Sequence, residues 1–196
     1  EKDLNVLRGE ADAVALRLRY NDVKTFHRQR PVGGNSAELF DTAEQVRVEA
    51  LGSRVLAGVE ANLDQYHESR CKDKGYHLVT EREESQISDA VGLLLRERIT
   101  GKPPPDSAKP LMDTWRSWLE DKAGGRIDEL KDHLHHQEVF GETKCGKCGS
   151  ENLRFVVREN DGNEYYELRC MDCGAKLSFG ANKKGGGLFP RRKDAD

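Results

Sequence analysis

The sequence predicts a mainly α-helical protein that ends in a small three-stranded β unit. Three observations support this fold class. Residues 3–140 repeat apolar positions at helical spacing, and Pro and Gly interrupt the repeats. Two β-rich runs then flank the turn sequence NDGN at 160–163. Two Cys-x-x-Cys pairs bracket those runs. We therefore predict a helical domain over residues 1–141, a cysteine-containing β unit over 142–182 and a basic Gly-rich tail over 183–196.

The helical domain is predicted from a succession of start and stop signals. A first helix is expected from Ala11 to about Arg30, where Pro31 ends it. A later helix stops at Gly101 and the prolines that follow. Two more are expected to end at Gly124-Gly125 and near Phe140. The residues expected to face inward along the domain are Val14, Leu18, Phe26, Leu39, Ala43, Val46, Ala50, Ile87, Val91, Leu94, Leu95, Leu111, Trp115, Trp118, Leu119, Leu130 and Leu134.

Composition limits the class of protein. Residues 1–141 carry 21 Lys and Arg against 26 Asp and Glu, a net charge of −5, whereas residues 142–196 carry 11 against 9, a net charge of +2. The sequence contains neither a membrane-length apolar run nor an export signal. Because the cysteine usage fits a reducing compartment, we expect a cytoplasmic protein. The first residue is Glu1 rather than Met, so we expect a fragment or a processed form.

The two cysteine pairs predict a structural Zn²⁺ site. Cys145 and Cys148 form the first pair, Cys170 and Cys173 the second, with 21 residues between the pairs. Each pair places two thiolates on one tight turn, so the four sulfurs can complete a tetrahedral Zn²⁺ shell. Four protein ligands leave no coordination position open for catalysis. The strands at 153–159, 164–170 and 175–179 would then form a zinc ribbon.

The ribbon and the tail also carry cations that could contact phosphate groups. The candidates for a nucleic-acid-binding surface are Arg154, Arg158, Lys183, Lys184, Arg191, Arg192 and Lys193. The alternative is that the ribbon is purely structural and that its aromatic residues cover a small core. Carboxylates in the hairpin dilute the basic charge, and both interpretations stay open at this point.

Other chemical candidates are weaker. His133, His135 and His136 cluster near a predicted helix end, but only Gln137 stands four residues after His133, so the HExxH spacing of a zinc protease is absent. His67 and Cys71 could form a Cys–His pair, although no third orienting group follows, and we expect a surface thiol instead. The sequence has no phosphate-binding P-loop and predicts no catalytic residue.

Residues 9–140 resemble the N-terminal region of the CobT subunit of the aerobic, ATP-dependent cobaltochelatase. The resemblance is carried by four stretches, of which LFDTAEQVRVEALGSR within the second is the most specific: GEADAVALRLRYND, AELFDTAEQVRVEALGSRVLAGVEANL, SDAVGLLLRERITGKPPP and LMDTWRSWLEDKAGGRIDEL. It implies a helical scaffold that docks a hexameric AAA+ ATPase, CobS, and a large subunit that inserts Co²⁺ into a corrin ring.

The resemblance leads to two hypotheses. In the first, the chain is a non-catalytic CobT-like subunit or adaptor in an oligomeric AAA+ complex of cobalamin biosynthesis. Glu44, Arg47 and Glu49, on the polar face of the best-matched helix, are then the expected partner contacts, and ordinary helix-surface charge is the alternative. In the second, it is a zinc-ribbon protein that binds single-stranded DNA, with a helical oligomerisation domain. The ribbon is similar to those of phage-encoded recombination proteins, and it stands where the CobT family continues towards a von Willebrand A domain.

Overall fold

The computed structural model divides the chain into two compact units, Glu1–Gly141 and Glu142–Asp196. Its described residues are 2–31, 34–56, 58–83, 86–140, 147–148, 150, 153–160 and 163–180. These residues are mainly helical, as the sequence predicts. Among their helices, none combines the length and the apolar character that crossing a membrane requires.

The first unit is built from α-helices joined by short connections. In chain order these helices are α1 (Lys2–Tyr20), α2 (Val23–Gln29), α3 (Gly34–Val55), α4 (Val59–Asp73), α5 (Ile87–Thr100), α6 (Lys109–Leu130) and α7 (Gln137–Phe140). Short 3₁₀ turns lie at Tyr76–Leu78, Asp106–Ala108 and Lys131–His133.

The predicted first helix is two helices with a different inward face. The helix is interrupted at Asp22. The carboxylate of Asp22 accepts a 2.7 Å hydrogen bond from the backbone N–H of Thr25 and so caps a new helix, α2. In α1 the buried side chains are Ala13 and Leu16. Val14 and Leu18, which were predicted to face inward, are 57% and 81% exposed, so that prediction is wrong.

Two glycines allow α1 to lie close to its neighbours. A Cβ added at Gly9 would overlap the carbonyl oxygen of Asn62 and the Cβ of Tyr66 on α4. One added at Gly52 of α3 would overlap the side chain of Leu16. Both positions therefore require glycine because another helix occupies the space that a side chain would take.

The largest apolar core joins α3, α5 and α6. Trp115 is 1% exposed and makes an edge-to-face contact with Trp118 at a 5.5 Å centroid distance, which confirms the predicted core role of this pair. Gly101, at φ 75°, ends α5 as predicted. The predicted end of α6 at Gly124-Gly125 is wrong, because the helix continues and buries Ile127 in the same core.

The second unit contains a three-stranded antiparallel sheet with the order β1-β2-β3. The strands are β1 (Leu153–Asn160), β2 (Asn163–Cys170) and β3 (Lys176–Gly180). The first hairpin pairs Leu153 with Cys170 at one end and Asn160 with Asn163 at the other. Residues 181–196, which include the predicted basic tail, lie outside the described residues.

Candidate functional sites: buried charge clusters and a cysteine cluster

The three residues predicted as partner contacts are buried. Glu44, Arg47 and Glu49 on α3 are 3%, 2% and 1% exposed. The predicted exposed polar face is therefore wrong, because neighbouring segments of the first unit cover these charges. In this conformation they have no surface to offer to another subunit.

Arg47 joins three parts of the first unit. Its guanidinium donates two 2.7 Å hydrogen bonds to the carboxylate of Glu44. It also donates to the carbonyl oxygen of Tyr20 at 2.7 Å and to that of Leu134 at 3.0 Å. These carbonyls belong to the end of α1 and to the segment before α7, so the buried ion pair holds both against α3.

Gln137 completes this cluster, a structural role that the sequence analysis did not predict. Its side-chain oxygen accepts from the backbone N–H of Asp22 at 2.7 Å and from Arg47 at 3.3 Å. Its side-chain nitrogen donates to Asn21 at 2.7 Å. These partners are at least 90 residues away in sequence, so no local pattern could have indicated them.

Glu49 is the centre of a second buried charge cluster. Its carboxylate lies 2.6 Å from Nε2 of His67 and accepts a 2.9 Å hydrogen bond from Gln45. Arg96 lies 3.6 Å away and pairs with Asp64 at 2.6 Å. Burial alone would raise the pKa of Glu49, but His67, with Gln45 and Arg96, holds that pKa below its ordinary value.

A cleft of about 270 Å³ opens beside this second cluster. It is lined by charged residues of α1, α3, α4 and α5, including Arg17, Asp41, Glu49, Arg70, Asp89 and Arg96. Most of these charges are paired within the unit: Asp41 accepts both hydrogen bonds of Arg30 at 2.7 Å, and Asp89 accepts from Lys74 at 2.6 Å and from the Tyr76 hydroxyl. The ion pairs hold neighbouring helices together.

Cys71 lines the same cleft but is not the surface thiol that the sequence suggested. It is 5% exposed, and burial, reinforced by Asp89 and Glu68, raises the pKa of its thiol to about 11. His67, its predicted partner, is hydrogen-bonded to Glu49 instead. A protonated, buried thiol without a base is a core residue rather than a nucleophile.

In the part of the chain that the structure describes, the three histidines do not come together with other residues to form a metal site. His135 and His136 are exposed and His133 is half-buried. Among the described residues, the group of three or more close ligand atoms is formed by cysteines alone.

Three of the four predicted cysteine ligands lie together. The Sγ atoms of Cys148, Cys170 and Cys173 are within 4.8 Å of one another, and those of Cys148 and Cys170 are 3.6 Å apart. Four sulfurs arranged tetrahedrally about 2.3 Å from a Zn²⁺ would be about 3.8 Å from one another, so this separation fits a shared metal. Cys145 lies outside the described residues.

The second cysteine turn is formed by backbone hydrogen bonds. Gly174, at φ 71°, donates to the carbonyl oxygen of Cys170 at 3.0 Å, and Cys170 donates to that of Ala175 at 2.9 Å. The backbone N–H of Cys173, helped by that of Asp172, lowers the pKa of the Cys170 thiol to about 6. The turn therefore favours the thiolate, which is the form that binds metal.

The sheet register aligns three basic residues. Arg154 of β1 pairs with Arg169 of β2, and Arg169 pairs with Lys176 of β3. Directly paired residues share one face of a sheet, so the register places these three positions, called here the cationic row, on one face, which Glu167 of β2 shares. Arg158 lies two pleats along that face, opposite Tyr165. The other predicted nucleic-acid contacts, Lys183, Lys184, Arg191, Arg192 and Lys193, lie outside the described residues.

Comparison with known proteins bears on the first unit. The chain matches the family model described as cobalamin biosynthesis protein CobT over residues 1–144. This match covers the whole helical unit and ends directly before Cys145. The comparison with solved structures found no match. The chain therefore belongs to the CobT family of cobalamin biosynthesis proteins.

Proposed function

We propose that this protein is a cytoplasmic, non-catalytic subunit of an ATP-dependent metal chelatase. Its helical unit would dock a CobS-type AAA+ ATPase and a large chelatase subunit, in an oligomeric assembly of cobalamin biosynthesis. The observation that carries the proposal is the CobT family match, which covers the helical unit from end to end.

The internal pairing of the helical unit supports a scaffold role. The buried carboxylate of Glu49 is engaged by His67 and Gln45, and Arg47 by Glu44 and two backbone carbonyls. These groups hold helices in place, so the chemistry would belong to a partner subunit. Docking would then use exposed residues of the helical unit rather than Glu44, Arg47 or Glu49.

Co-purification with a CobS-type ATPase tests this proposal. We expect the full chain to comigrate with the ATPase in the presence of ATP and to change its rate of ATP hydrolysis. An AAA+ ATPase unrelated to chelatases is the matched control. Amide hydrogen exchange on the complex would then identify the docking face by its protection. Absence of both comigration and a change in hydrolysis would contradict the proposal.

The cysteine cluster supports a second part of the proposal, one structural Zn²⁺ per chain. Cys145 would supply the fourth sulfur beside Cys148, Cys170 and Cys173, and the site would hold the sheet and both turns together. We expect one equivalent of zinc in the purified protein and its loss in Cys148→Ser or Cys173→Ser. Cys71→Ala, in the helical unit, is the matched control and should retain the metal.

The cationic row favours nucleic-acid binding as an alternative function. Like charges directly opposite one another destabilise a sheet, and Glu167 on the same face supplies one negative charge towards the three positive ones. The buried Nε of Arg169 also has no hydrogen-bond partner among the described residues. A polyanion such as single-stranded DNA would supply phosphates to Arg154, Arg169 and Lys176, with Tyr165 near Arg158 as a stacking surface.

The salt dependence of DNA binding tests this alternative. If the row contacts phosphates, affinity for single-stranded DNA should fall steeply with ionic strength, and Arg154→Ala should reduce the slope. Arg98→Ala is a matched control, because this arginine lies in the helical unit and pairs with Glu120. Salt-independent binding, or no binding, would remove the alternative.

A further inference from the structure

One face of the three-stranded sheet is apolar over most of its length. Successive residues of a strand lie on alternate faces, and directly paired residues share a face. The register therefore places six apolar residues on the face opposite the cationic row, called here the apolar sheet face: Phe155, Val157, Tyr166, Leu168, Leu177 and Phe179. A sheet with one apolar face is expected to pack that face against another layer.

The two ends of the apolar sheet face differ. At one end Leu153 pairs with Cys170, which is 1% exposed and whose Sγ lies 3.6 Å from that of Cys148, so the cysteine cluster closes this end. Towards the hairpin turn, the described residues of the second unit provide no second layer of helix or sheet. The middle of the face therefore needs a cover from elsewhere.

The hairpin end of the same face carries a pair of acidic residues. The register pairs Glu159 of β1 with Glu164 of β2. Like charges at directly paired positions destabilise a hairpin, and the paired positions of this face include neither Lys nor Arg. A cover that suits the face is therefore apolar over its middle and cationic at its hairpin end.

Residues 181–196, which follow β3 directly, contain this combination. Leu188, Phe189 and Pro190 form an apolar run, and Arg191, Arg192 and Lys193 come immediately after it. The first cation is two residues beyond Phe189. The glutamate pair is likewise two residues along the strands from the paired positions Val157 and Tyr166. The order and the spacing of apolar and charged groups therefore agree on the two sides.

The run is within reach of the face. β3 ends at Gly180, which pairs with Tyr165, the neighbour of Glu164. The seven residues 181–187 span up to about 23 Å when extended, whereas three strands are only about 10 Å wide. Three consecutive glycines at 185–187 allow the chain to reverse direction over the sheet.

Other covers suit the glutamate pair less well. The same face of a second copy would bring two more glutamates and no cation at its paired positions. Residues 1–141 carry a net charge of −5, so the helical unit is on balance repelled by the pair. The segment after β3 is the one that joins an apolar run to three successive cations.

We propose that residues 188–193 of this chain cover the apolar sheet face of its own second unit. Leu188 and Phe189 lie over Val157 and its neighbours, and the three cations lie beside the glutamate pair. The inference does not depend on the chelatase proposal. It gives Arg191, Arg192 and Lys193 a partner within the chain in place of the phosphate contact considered above.

Nuclear Overhauser contacts in the full chain as purified test the placement directly. We expect contacts between the ring of Phe189 and the methyl groups of Val157. A mixture of labelled and unlabelled chains shows whether they arise within one chain. Absence of these contacts, or contacts that arise between two chains, would overturn the proposal.

The sign of one charge substitution tests the electrostatic part. Without nearby cations, Glu164→Gln relieves repulsion from Glu159 and slows amide exchange in the hairpin. With the cations in place it removes an attraction, so we expect exchange about two- to fivefold faster. In a chain whose residues 191–193 are all glutamine, the same substitution should slow exchange. Slower exchange in both backgrounds would overturn the proposal.

Removal of the aromatic ring tests the apolar part. Phe189→Ser should make amide exchange in β2 and β3 about tenfold faster, because the apolar sheet face loses its cover. Ala195→Ser is the control, since it places the same residue beyond the apolar run and the cations. Equal exchange in the two variants would contradict the cover.

Discussion

The two units of this chain are stabilised by different means. The helical unit, Glu1–Gly141, buries an apolar core around α3, α5 and α6 and adds buried charged residues that pair inside it, such as Arg47 with Glu44. The second unit, Glu142–Asp196, is small for a chain that depends on a hydrophobic core alone. In place of such a core, a metal ion bound by its clustered cysteine sulfurs would stabilise this unit. We therefore expect metal removal to unfold the second unit and substitutions of buried residues to unfold the first.

The units also differ in where they place their charges. In the helical unit, Arg47 and Glu49 lie inside and join helices to one another. In the sheet, the register pairs Arg154 with Arg169 and Arg169 with Lys176. Charge therefore joins helices in the first unit, whereas in the second unit we propose that the paired basic positions bind a ligand.

Metal removal should have the largest effect and should separate the two units. Chelation is expected to unfold the second unit, because structural zinc binding contributes on the order of 10 kcal/mol to the folding of such modules. Amide hydrogen exchange should show lost protection over 153–180 and unchanged protection in α3, α5 and α6. Strand amides that stay protected after metal removal would contradict the zinc proposal and this comparison together.

Arg47→Ala should destabilise the helical unit. It leaves the buried carboxylate of Glu44 without its cation and removes the donors to Tyr20 and Leu134, so the free energy of unfolding should fall by about 3 to 5 kcal/mol. Denaturant unfolding followed by far-ultraviolet circular dichroism measures this. Arg98→Ala, which breaks an exposed ion pair with Glu120, should cost less than about 1 kcal/mol. Equal costs for the two variants would refute the structural role of Arg47.

Two glycine substitutions should change the stability of the helical unit in opposite directions. Gly9→Ala places a methyl group against α4 and should destabilise the helical unit by about 2 kcal/mol. Gly125→Ala adds a methyl group where no atom lies nearby and should stabilise α6 by up to about 1 kcal/mol. Thermal unfolding of both variants gives the comparison. Stabilisation by Gly9→Ala would mean that α1 does not approach α4 closely.

Much of the fold followed from local signals in the sequence. Gly101 and the prolines beyond it ended α5 where expected, and Trp115 entered the core as its spacing indicated. The paired cysteines predicted the sulfur cluster as far as the structure describes it. These features depend on residues near one another along the chain, which is why sequence spacing captures them.

The errors came from contacts that span the chain. Arg47 looks like a surface charge on α3 until the carbonyl of Leu134, 87 residues away, comes to lie against it. Helix α1 has two apolar faces, and only the position of Gly9 and Leu16 against other helices decides which one is inside. Gly124 and Gly125 did not end α6, because Ile127 gains burial when the helix continues.

The smallest expected effect concerns the pH dependence of the helical unit. Burial would raise the pKa of Glu49, yet His67 and its other partners hold it below the ordinary value of 4.5. The ionised carboxylate therefore stabilises the fold above about pH 4.5, and this contribution is lost as the pH falls through the lower folded-state pKa.

Glu49→Gln should cost about 1 kcal/mol at neutral pH, since the amide retains part of the hydrogen bonding. It should also flatten the acid side of the stability profile. Asp106→Asn is the matched control: the pKa of Asp106 is lowered by exposed Lys109, and solvent screens that pair, so the acid side should keep its slope. An unchanged slope in Glu49→Gln would show that the Glu49–His67 pair does not link this unit to pH.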